Sequence, residues 1–376
     1  MENQTLGRTS GQTLTEYVEA WLPTADLMPI TKKGYESVFR NHIEPLMGKK
    51  KVEAVSKRSI REMIDNLKAQ GISNSTIAQC KACLGSAFKP LVEIEQVAVN
   101  PTHGITLRRS HSDLRDVLEA DEFKLIKAHL PSDGSRLFAQ FLVMSGCRFG
   151  EASEIRVKDF NFKSGEVYVQ RRSSELGAKA NHGSRFLVVD ATKSGHKRSI
   201  CLSKSLMDEI KGYVQAHSLT KADLLFPKHL VESAGKLDAP TIPVRQFRDG
   251  GRTFQHGSLY AYTTGKCRCG SCVVSMREYR RKSRTPRVST NSSGHLSRDL
   301  WRSIWNQAIA QSGIDWSPRT HDLRHANATA LLKNGVDVHE VKERLGHQSI
   351  KTTERYLHRL RHQQSLASEG VNDFLE

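Results

Sequence analysis

Hydrophobic side chains recur at helical spacing in the first hundred residues. Leu14 is followed by apolar residues three and four positions later, Tyr17 and Val18, which is the pattern of one buried helix face. Similar spacing continues to about residue 91. We therefore predict a helical domain over residues 13–101, preceded by a polar tail at 1–12.

Cap and breaker residues divide this region further. Ser59 precedes the run 60–67, and Glu62 lies three residues after Ser59. This is the spacing of a capping box at a helix start. Pro101 disfavours helix in the residue before it and so closes the domain. Residues 102–116 are predicted to be a basic linker, either an extended segment that follows a duplex or an ordinary surface connection. The arginines of this linker are Arg108, Arg109 and Arg115.

Short alternating runs interrupt the helical pattern in the rest of the chain. Alternation of apolar and polar residues over four or five positions predicts strands. Three such runs lie at residues 166–170, 186–189 and 198–202. A Gly-, Pro- and Arg-rich stretch at 228–297 is predicted to be an insertion in a second domain over 117–376. The expected fold class is mainly α with a small antiparallel β-sheet (α+β).

Composition favours nucleic acid as the partner. The 376 residues contain 57 Lys and Arg against 40 Asp and Glu, a formal charge of +17, and such an excess attracts polyanions. A basic surface without nucleic-acid affinity is the alternative. No apolar run reaches the ~18 residues of a membrane span, and the N-terminus lacks the basic-then-apolar order of a secretory signal. We expect a cytoplasmic protein without a membrane partner, whose cysteines stay reduced.

The segment from His321 to His325 carries the strongest signal for an anion site. His321 and Arg324 are three residues apart at the start of a predicted helix, so both project from one face of its first turn. Unpaired backbone N–H groups and the helix dipole favour an anion at the same place. One phosphate can meet all of these groups.

A helix junction follows this segment. In the run Leu345-Gly346-His347-Gln348-Ser349, the glycine is typical of a helix end, and Ser349 can cap the next helix. Tyr356 lies nine residues beyond His347 on that next helix.

Two further cations stand at predicted turns. Arg148 leaves an apolar helix between two glycines, and Glu151 follows it three residues later. Lys193 lies between two predicted strands, so a hairpin turn would hold its ammonium group at a loop tip. Each of these residues alone is most often a solvated surface residue.

Taken in order, these residues resemble the tyrosine recombinase (phage integrase) family. The residues that carry the resemblance are Arg148, Lys193, His321-x-x-Arg324, Leu345-Gly346-His347 and Tyr356. The resemblance covers most of the chain, because the family also has an N-terminal helical, SAM-like core-binding domain like residues 13–101. It implies that residues 117–376 form a tyrosine recombinase catalytic domain, within a site-specific DNA recombinase that integrates or excises phage or mobile-element DNA.

The residue types suit that chemistry. Attack on a phosphodiester builds negative charge on the non-bridging oxygens, which Arg148 and Arg324 can meet with planar forks of donors. Tyr356 needs cationic neighbours or a base before it can attack. Either His321 or His347 can accept its proton.

The resemblance adds roles that the residue types do not establish. It implies that Lys193 is the general acid on the leaving 5′-oxygen, that Glu151 supports the site, and that a 3′-phosphotyrosine intermediate forms without a cofactor. The implied partners are double-stranded DNA attachment (core) sites, a homotetramer on two DNA segments, and host bending or directionality factors. Because only about a dozen residues precede the helical domain, we expect no full arm-type DNA-binding domain.

Rival functions share part of this pattern. Integration, excision and chromosome or plasmid dimer resolution are not separated by the sequence. A type IB topoisomerase uses the same Arg, Lys, His and Tyr chemistry, but the compact helical domain favours recombination. A non-catalytic DNA-binding regulator would be expected to lack a catalytic residue, and each chemical role has a candidate here.

A cluster of cysteines lies inside the insertion. Cys267, Cys269 and Cys272, with His256 eleven residues before the first of them, supply the donor set of a closed tetrahedral zinc site. Because the spacing is tighter than in common zinc fingers, free structural thiols and redox chemistry stay open as alternatives. A basic run follows and predicts either DNA-backbone contact or a disordered loop. Its residues are Arg277, Arg280, Arg281, Lys282, Arg284 and Arg287.

The remaining cysteines fit a structural role. Cys80 and Cys83 lie in an apolar helical pattern, which predicts core packing. Cys147 and Cys201 are also expected to be buried. The tail at 358–376 is predicted either to dock on a neighbouring protomer or to fray.

Overall fold

Helices dominate both units of the protein. The structure, a computed structural model, describes residues 11–107, 116–177, 184–190, 197–232, 246–249, 252–267 and 294–363, and also 272, 273, 275, 276 and 279. For residues 247–249, 355 and 358–363 it describes the backbone alone. The chain divides into two compact units between Arg115 and Asp116. The predicted class is confirmed, since the described β-structure is confined to small antiparallel sheets.

The first unit is helical. Leu14, Tyr17 and Val18 are buried as predicted, and the Tyr17 hydroxyl donates to the carbonyl of Ala87 at 2.7 Å. A π-helical turn at Phe39–Ile43 and a 3₁₀ turn at Val52–Ala54 connect the longer elements. The α-helices of this unit are α1 (Leu14–Thr24), α2 (Pro29–Val38), α3 (Glu44–Met47), α4 (Lys57–Ala69) and α5 (Asn74–Glu93).

The helix predicted to begin after Ser59 begins earlier. Helix α4 starts at Lys57 and is capped by Ser56. The Ser56 hydroxyl accepts from the Ser59 N–H at 3.2 Å, and the Ser59 hydroxyl accepts from the Ser56 N–H at 3.4 Å. This reciprocal serine pair takes the place of the predicted box with Glu62, because the two hydroxyls accept from the backbone N–H groups of Ser56 and Ser59 at the helix start.

Cys80 and Cys83 belong to the core of the first unit, as predicted. Both thiols are inaccessible to solvent. Burial raises the pKa of Cys80 to about 11 and that of Cys83 to about 12, because a thiolate is poorly solvated in an apolar core. These thiols are therefore protonated packing groups.

The second unit combines helices with short strands. Its helices are α6 (Ala120–Ala128), α7 (Asp133–Ser145), α8 (Phe149–Ala152), α9 (Lys204–Ala216), α10 (Lys228–Val231), α11 (Leu259–Thr263), α12 (Arg298–Ser312), α13 (Thr320–Lys333), α14 (Val338–Leu345) and α15 (Ile350–Gln363). Its strands are β1 (Phe160–Asn161), β2 (Glu166–Val169), β3 (Arg172–Glu175), β4 (Phe186–Val189), β5 (Arg198–Cys201), β6 (Gln246–Asp249) and β7 (Arg252–Gln255).

Helix α7 lies at the centre of this unit. The ring of Phe138 is fully buried and meets Phe226 and Trp301 edge to face, with centroids 5.1 and 4.7 Å apart. Aromatic pairs in this arrangement add to the stabilisation from burial itself. The helix ends at Gly146, whose φ of 65° is the left-handed conformation of a helix end. That end places Arg148 at the edge of the core.

Strand pairing corrects the predicted hairpin around Lys193. Strand β4 pairs with β3, whereas β5 pairs with β2 in the order β1-β2-β5. The two strands that flank Lys193 in sequence therefore belong to different sheets and do not pair with each other. Strand β3 escaped the sequence pattern because its residues, Arg-Ser-Ser-Glu, are all polar. Lys193 itself lies outside the described residues.

The prediction of a buried Cys201 is wrong. Residues of β5 alternate in burial, and Ile200 takes the inward position. Because neighbouring residues of a strand point to opposite faces, Cys201 is exposed. Cys147 is buried as predicted.

Several predictions concern residues that lie outside the described part of the chain. These residues are the tail 1–10, the linker arginines Arg108, Arg109 and Arg115, Cys269, the basic run Arg277, Arg280, Arg281, Lys282, Arg284 and Arg287, and the terminal residues 364–376. Among the described helices, none is both long enough and apolar enough to cross a membrane.

Candidate active site

Arg324 is the most deeply buried cation of the site. It lies in the first turns of α13, which begins at Thr320 as the sequence predicts, and only 2% of it is exposed. Its guanidinium donates to the carbonyls of Gly146 and Leu345, both at 2.7 Å. Burial, together with the nearby charge of Arg148, lowers the pKa of Arg324 to about 10. It therefore stays charged at neutral pH and is fixed in position.

Arg148 is held from the other side of the same junction. Its guanidinium donates to Glu151 Oε1 at 3.0 Å and to the carbonyl of Gly346 at 3.0 Å. Arg324 thus bonds to the end of α7, just before Arg148 in the sequence. Arg148 in turn bonds to the end of α14, just before His347. These hydrogen bonds hold the two predicted arginines at the junction between the ends of α7 and α14.

Glycine is required where these two helix ends meet. Gly146 and Gly346 both have positive φ, 65° and 66°, a conformation that costs a residue with a Cβ atom about 1 kcal/mol or more. A Cβ on Gly146 would lie 2.5 Å from Leu345 Cδ2 and 2.7 Å from Asn327 Oδ1. The close approach of the two helix ends therefore depends on the absence of a side chain.

Glu151 connects Arg148 with an arginine that the sequence did not single out. The Glu151 carboxylate is 1% exposed and pairs with Arg148 at 3.0 Å and with Arg198 at 2.7 Å. Burial alone would raise the pKa of this carboxyl, but Arg198 and Arg148 outweigh burial and hold the pKa below its ordinary value. Arg198 also donates to the carbonyl of Arg344 at 2.8 Å. Glu151 therefore stays ionised and positions both cations.

Tyr356 meets a histidine to which sequence reasoning gave no role. The hydroxyl of Tyr356 lies 2.5 Å from Nδ1 of His325, and 9% of the tyrosine is exposed. On the other side of the ring, Nε2 of His325 lies 3.9 Å from the Asp322 carboxylate. The signal for His325 was present, because it follows Arg324 directly and stands four residues after His321 on the same helix face.

His321 and His347 surround this pair. The His321 ring contacts His325 edge to face with centroids 4.7 Å apart, and the His347 ring is parallel to that of Tyr356 at 6.5 Å. His347 Nδ1 lies 2.9 Å from the Thr353 hydroxyl. The structure therefore places His347 beside the Tyr356 ring and His321 beside His325, while His325 contacts the Tyr356 hydroxyl.

Both histidines are neutral near pH 7. Although part of the His321 ring reaches solvent, desolvation and the neighbouring His325 and Arg324 lower its pKa to about 4. Desolvation, with Arg324 and Arg148, lowers the pKa of His347 to about 3. A neutral imidazole offers one N–H donor and one acceptor nitrogen, so either ring can donate to an anion without carrying charge.

A groove of about 500 Å³ opens beside His321. Its basic lining residues are Arg298, Arg302 and Arg319, and the indoles of Trp301 and Trp305 form part of its wall. A basic groove beside His321 is suited to a polyanion.

The predicted zinc ligands form a second cluster. His256, Cys267 and Cys272 place one ligand atom each within 4.8 Å of one another. Cys269, the fourth predicted ligand, lies outside the described residues. The predicted cluster is therefore assembled as far as the structure describes it.

Family models match both units. The phage integrase family model matches residues 277–363, which contain His321, Arg324, His347 and Tyr356. The model of the phage integrase N-terminal SAM-like domain matches residues 13–68. The chain belongs to the tyrosine recombinase (phage integrase) family.

Relatives of this integrase-family chain agree with the assignment. An integrase/recombinase of Escherichia coli is 26% identical over 245 residues, which are 65% of this chain and 60% of that protein. A XerC-like tyrosine recombinase of Caldanaerobacter subterraneus subsp. tengcongensis is 25% identical over 380 residues, 96% of this chain and 83% of that protein. In fold, the chain is similar to a lambda integrase dimer bound to a COC′ core site, with a TM-score of 0.58, 15% identity, and coverage of 92% of this chain and 95% of that one.

Glu151→Gln should destabilise this integrase-family chain by about 3 kcal/mol, because removing one partner of a buried ion pair leaves charge uncompensated. Since the folded-state pKa of Glu151 is depressed, its contribution is present above the ordinary carboxyl pKa and is lost as pH falls through the folded value. Chemical denaturation at several pH values measures both effects, with the exposed Glu340→Gln as control. Equal unfolding free energies for Glu151→Gln and wild type at pH 7 would show that the pairing of Glu151 with Arg148 and Arg198 does not stabilise the fold.

Proposed function

We propose that the protein is a site-specific DNA recombinase that cuts and rejoins strands through a 3′-phosphotyrosine on Tyr356. The observation that carries the proposal is the contact of the Tyr356 hydroxyl with His325, at 2.5 Å. The ring of His347 is parallel to that of Tyr356 at 6.5 Å, and it lies near enough to Arg324 and Arg148 for their charges to lower its pKa. A tyrosine with a base partner and a phosphate-binding pair of cations has the elements of covalent phosphoryl transfer.

Phosphate binding is the first step of the proposed reaction. Arg148 and Arg324 donate to the non-bridging oxygens of the scissile phosphate, and neutral His321 and His347 add N–H donors. Because carbonyls and Glu151 already fix the guanidiniums, little reorganisation is needed when charge develops in the transition state.

Strand cleavage transfers one bond. The Tyr356 oxygen attacks phosphorus while the bond from phosphorus to the 5′-oxygen breaks, which leaves a 3′-phosphotyrosine and a 5′-hydroxyl. We propose that Lys193 supplies the proton to the leaving oxygen. A 5′-hydroxyl of a different strand then attacks the phosphotyrosine, and Tyr356 leaves. One phosphate ester replaces another, so no nucleotide hydrolysis is needed.

His325 is proposed as the group that accepts the Tyr356 proton. Its Nδ1 faces the hydroxyl, and the Asp322 carboxylate near Nε2 favours the tautomer with the proton on Nε2, which leaves Nδ1 as an acceptor. The sequence left the base as either His321 or His347, and we propose His325 in their place.

His325→Phe should slow adduct formation by about 100-fold, which is within the range that a general base contributes. The variant rate should also rise more steeply with pH than the wild-type rate, because hydroxide must then remove the tyrosine proton. Single-turnover cleavage of a nicked duplex across pH 6–9 measures both effects. His339→Phe, at an exposed histidine of α14, is the control. A wild-type rate and pH profile in His325→Phe would exclude the role.

The proposed partners follow from the family. The substrate is double-stranded DNA with paired core sites, acted on by a homotetramer, because strand exchange between two duplexes uses four cleavages. Solved lambda integrase includes a tetramer bound to a Holliday junction. We propose that host bending or directionality factors set the direction, and that the enzyme acts on DNA in the bacterial cytoplasm, at the nucleoid.

Strand transfer is proposed to need no cofactor. Two guanidiniums supply the electrostatic stabilisation that a metal ion supplies in other phosphoryl-transfer enzymes. A zinc ion bound in the insertion would accordingly have a structural role.

The test of this function uses two labelled duplexes that carry the attachment sites of the native element. A recombinase produces joint molecules of both duplexes, and it forms them only when both sites are present. Relaxation of a supercoiled plasmid without any attachment site, with no joint molecules, would instead favour a type IB topoisomerase. Sequence-specific binding without either product would favour a DNA-binding regulator.

A further inference from the structure

Three side chains of the insertion converge although they come from separate elements. His256 directly follows strand β7, Cys267 follows helix α11, and Cys272 lies in a helical segment. All three ligand atoms lie within 4.8 Å of one another. Neither catalysis nor DNA contact accounts for this arrangement.

The distances match those of a bound ion. Nδ1 of His256 lies 3.3 Å from Cys267 Sγ and 3.9 Å from Cys272 Sγ. A tetrahedral zinc ion, bonded at about 2.3 Å to sulfur and about 2.0 Å to nitrogen, sets sulfur and nitrogen donors about 3.5 Å apart. Both distances lie close to that separation, so the ion requires only small adjustments of the side chains.

A backbone donor points at one of the sulfurs. The Gly257 N–H donates to Cys272 Sγ at 3.3 Å. Such a bond stabilises a thiolate, and hydrogen bonds to ligand atoms are typical of metal sites. Gly257 follows His256 directly, so the same turn presents an imidazole and an amide to the cluster. This observation supports a metal site independently of the convergence of the side chains.

Among the described residues, the core around these ligands is small. Its buried apolar residues are Phe254, Ala261 and Cys272, with Tyr262 and Cys267 packed against them. Small modules with so little apolar burial depend on disulfides or metals for stability. A structural zinc ion supplies that stability, because its binding free energy becomes folding free energy.

We propose that His256, Cys267 and Cys272 bind a structural zinc ion that joins β7 to the segment beginning at Cys272. Cys269, which the sequence assigns to the fourth position, stays a prediction because it lies outside the described residues. The proposal does not depend on the recombinase function. It concerns the folding of the insertion, in which the ligand cluster precedes the basic run in the sequence.

Metal analysis of the whole purified protein tests the proposal. We expect one zinc ion per chain, lost in Cys267→Ser and in Cys272→Ser and retained in Cys201→Ser, which alters an exposed cysteine of the same unit. Replacement of zinc by cobalt(II) in the wild-type protein should produce the sulfur-to-cobalt charge-transfer absorption of a tetrahedral thiolate site. That measurement does not depend on whether the variants fold.

Two results would overturn the proposal. One is a folded wild-type protein, supplied with zinc or cobalt, that holds no metal and shows no sulfur-to-cobalt absorption. The other is an unchanged zinc content in both Cys267→Ser and Cys272→Ser. Unfolding curves of these variants should keep the main transition of the wild type, because the insertion cluster is separate from the large core of the second unit.

Discussion

Tyr356→Phe should abolish the covalent protein–DNA adduct while leaving DNA binding at the wild-type level. Phenylalanine keeps the ring, which packs with Ala328, Leu332, Val341 and Leu345. It removes only the hydroxyl, which is the proposed nucleophile. Without that oxygen no ester to phosphorus can form, so the expected loss is complete.

Suicide duplexes, which trap cleaved DNA on the protein, provide the measurement. Adduct is resolved on denaturing gels, and binding is measured in parallel by mobility shift. Tyr168→Phe, at an exposed tyrosine of β2, is the matched control and should form adduct at the wild-type rate. Adduct in Tyr356→Phe would assign the nucleophile to another residue.

Arg324→Lys should lower the cleavage rate by about 100- to 1,000-fold, the effect of removing one preorganised donor to a developing oxyanion. The charge is conserved, but the planar fork is lost, and an ammonium group cannot hold the carbonyls of Gly146 and Leu345 and also meet a phosphate in the same way. Binding of DNA should change far less than the rate.

The control for this prediction is Arg58→Lys. Arg58 has a side chain that is 89% exposed and pairs with Glu62 across one turn of α4, so its replacement should leave cleavage within about threefold of wild type, as expected for a surface ion pair. Single-turnover cleavage at saturating protein separates rate from binding. Equal rates for Arg324→Lys and Arg58→Lys would remove Arg324 from the chemistry.

Local patterns predicted much of the fold. The helix that contains His321 starts one residue before His321, and the glycine at 346, which was predicted to end a helix, ends α14 in the left-handed conformation. Cys80 and Cys83 were assigned to the core by helical spacing alone. Such features depend on residues close in sequence, so a linear pattern contains the necessary information.

Pairing between distant segments was not predictable in the same way. Strand β3 has no apolar alternation, and its pairing with β4 removed the partner that the predicted hairpin around Lys193 required. The inward position of Ile200, and hence the exposure of Cys201, depends on which face of β5 meets the core. Register and sheet membership are tertiary properties.

Sequence motifs predicted many of the residues of the site but not the contacts between them. Motif order pointed to Arg148, Arg324 and Tyr356, and the structure shows that carbonyls at two helix ends hold the two arginines. Motif order did not identify His325 or Arg198. The contact of His325 with Tyr356 depends on the approach of α15 to α13, and the contact of Arg198 with Glu151 depends on the position of β5.

The central claim is that Tyr356 becomes joined to a 3′-phosphate, and peptide mapping of the adduct tests it most directly. Adduct formed on a suicide duplex is digested with nuclease and protease, and the modified peptide is sequenced by mass spectrometry. The predicted result is a single peptide in which Tyr356 carries a nucleotide through its 3′-phosphate. A nucleotide on any other residue, or a linkage through a 5′-phosphate, would contradict it.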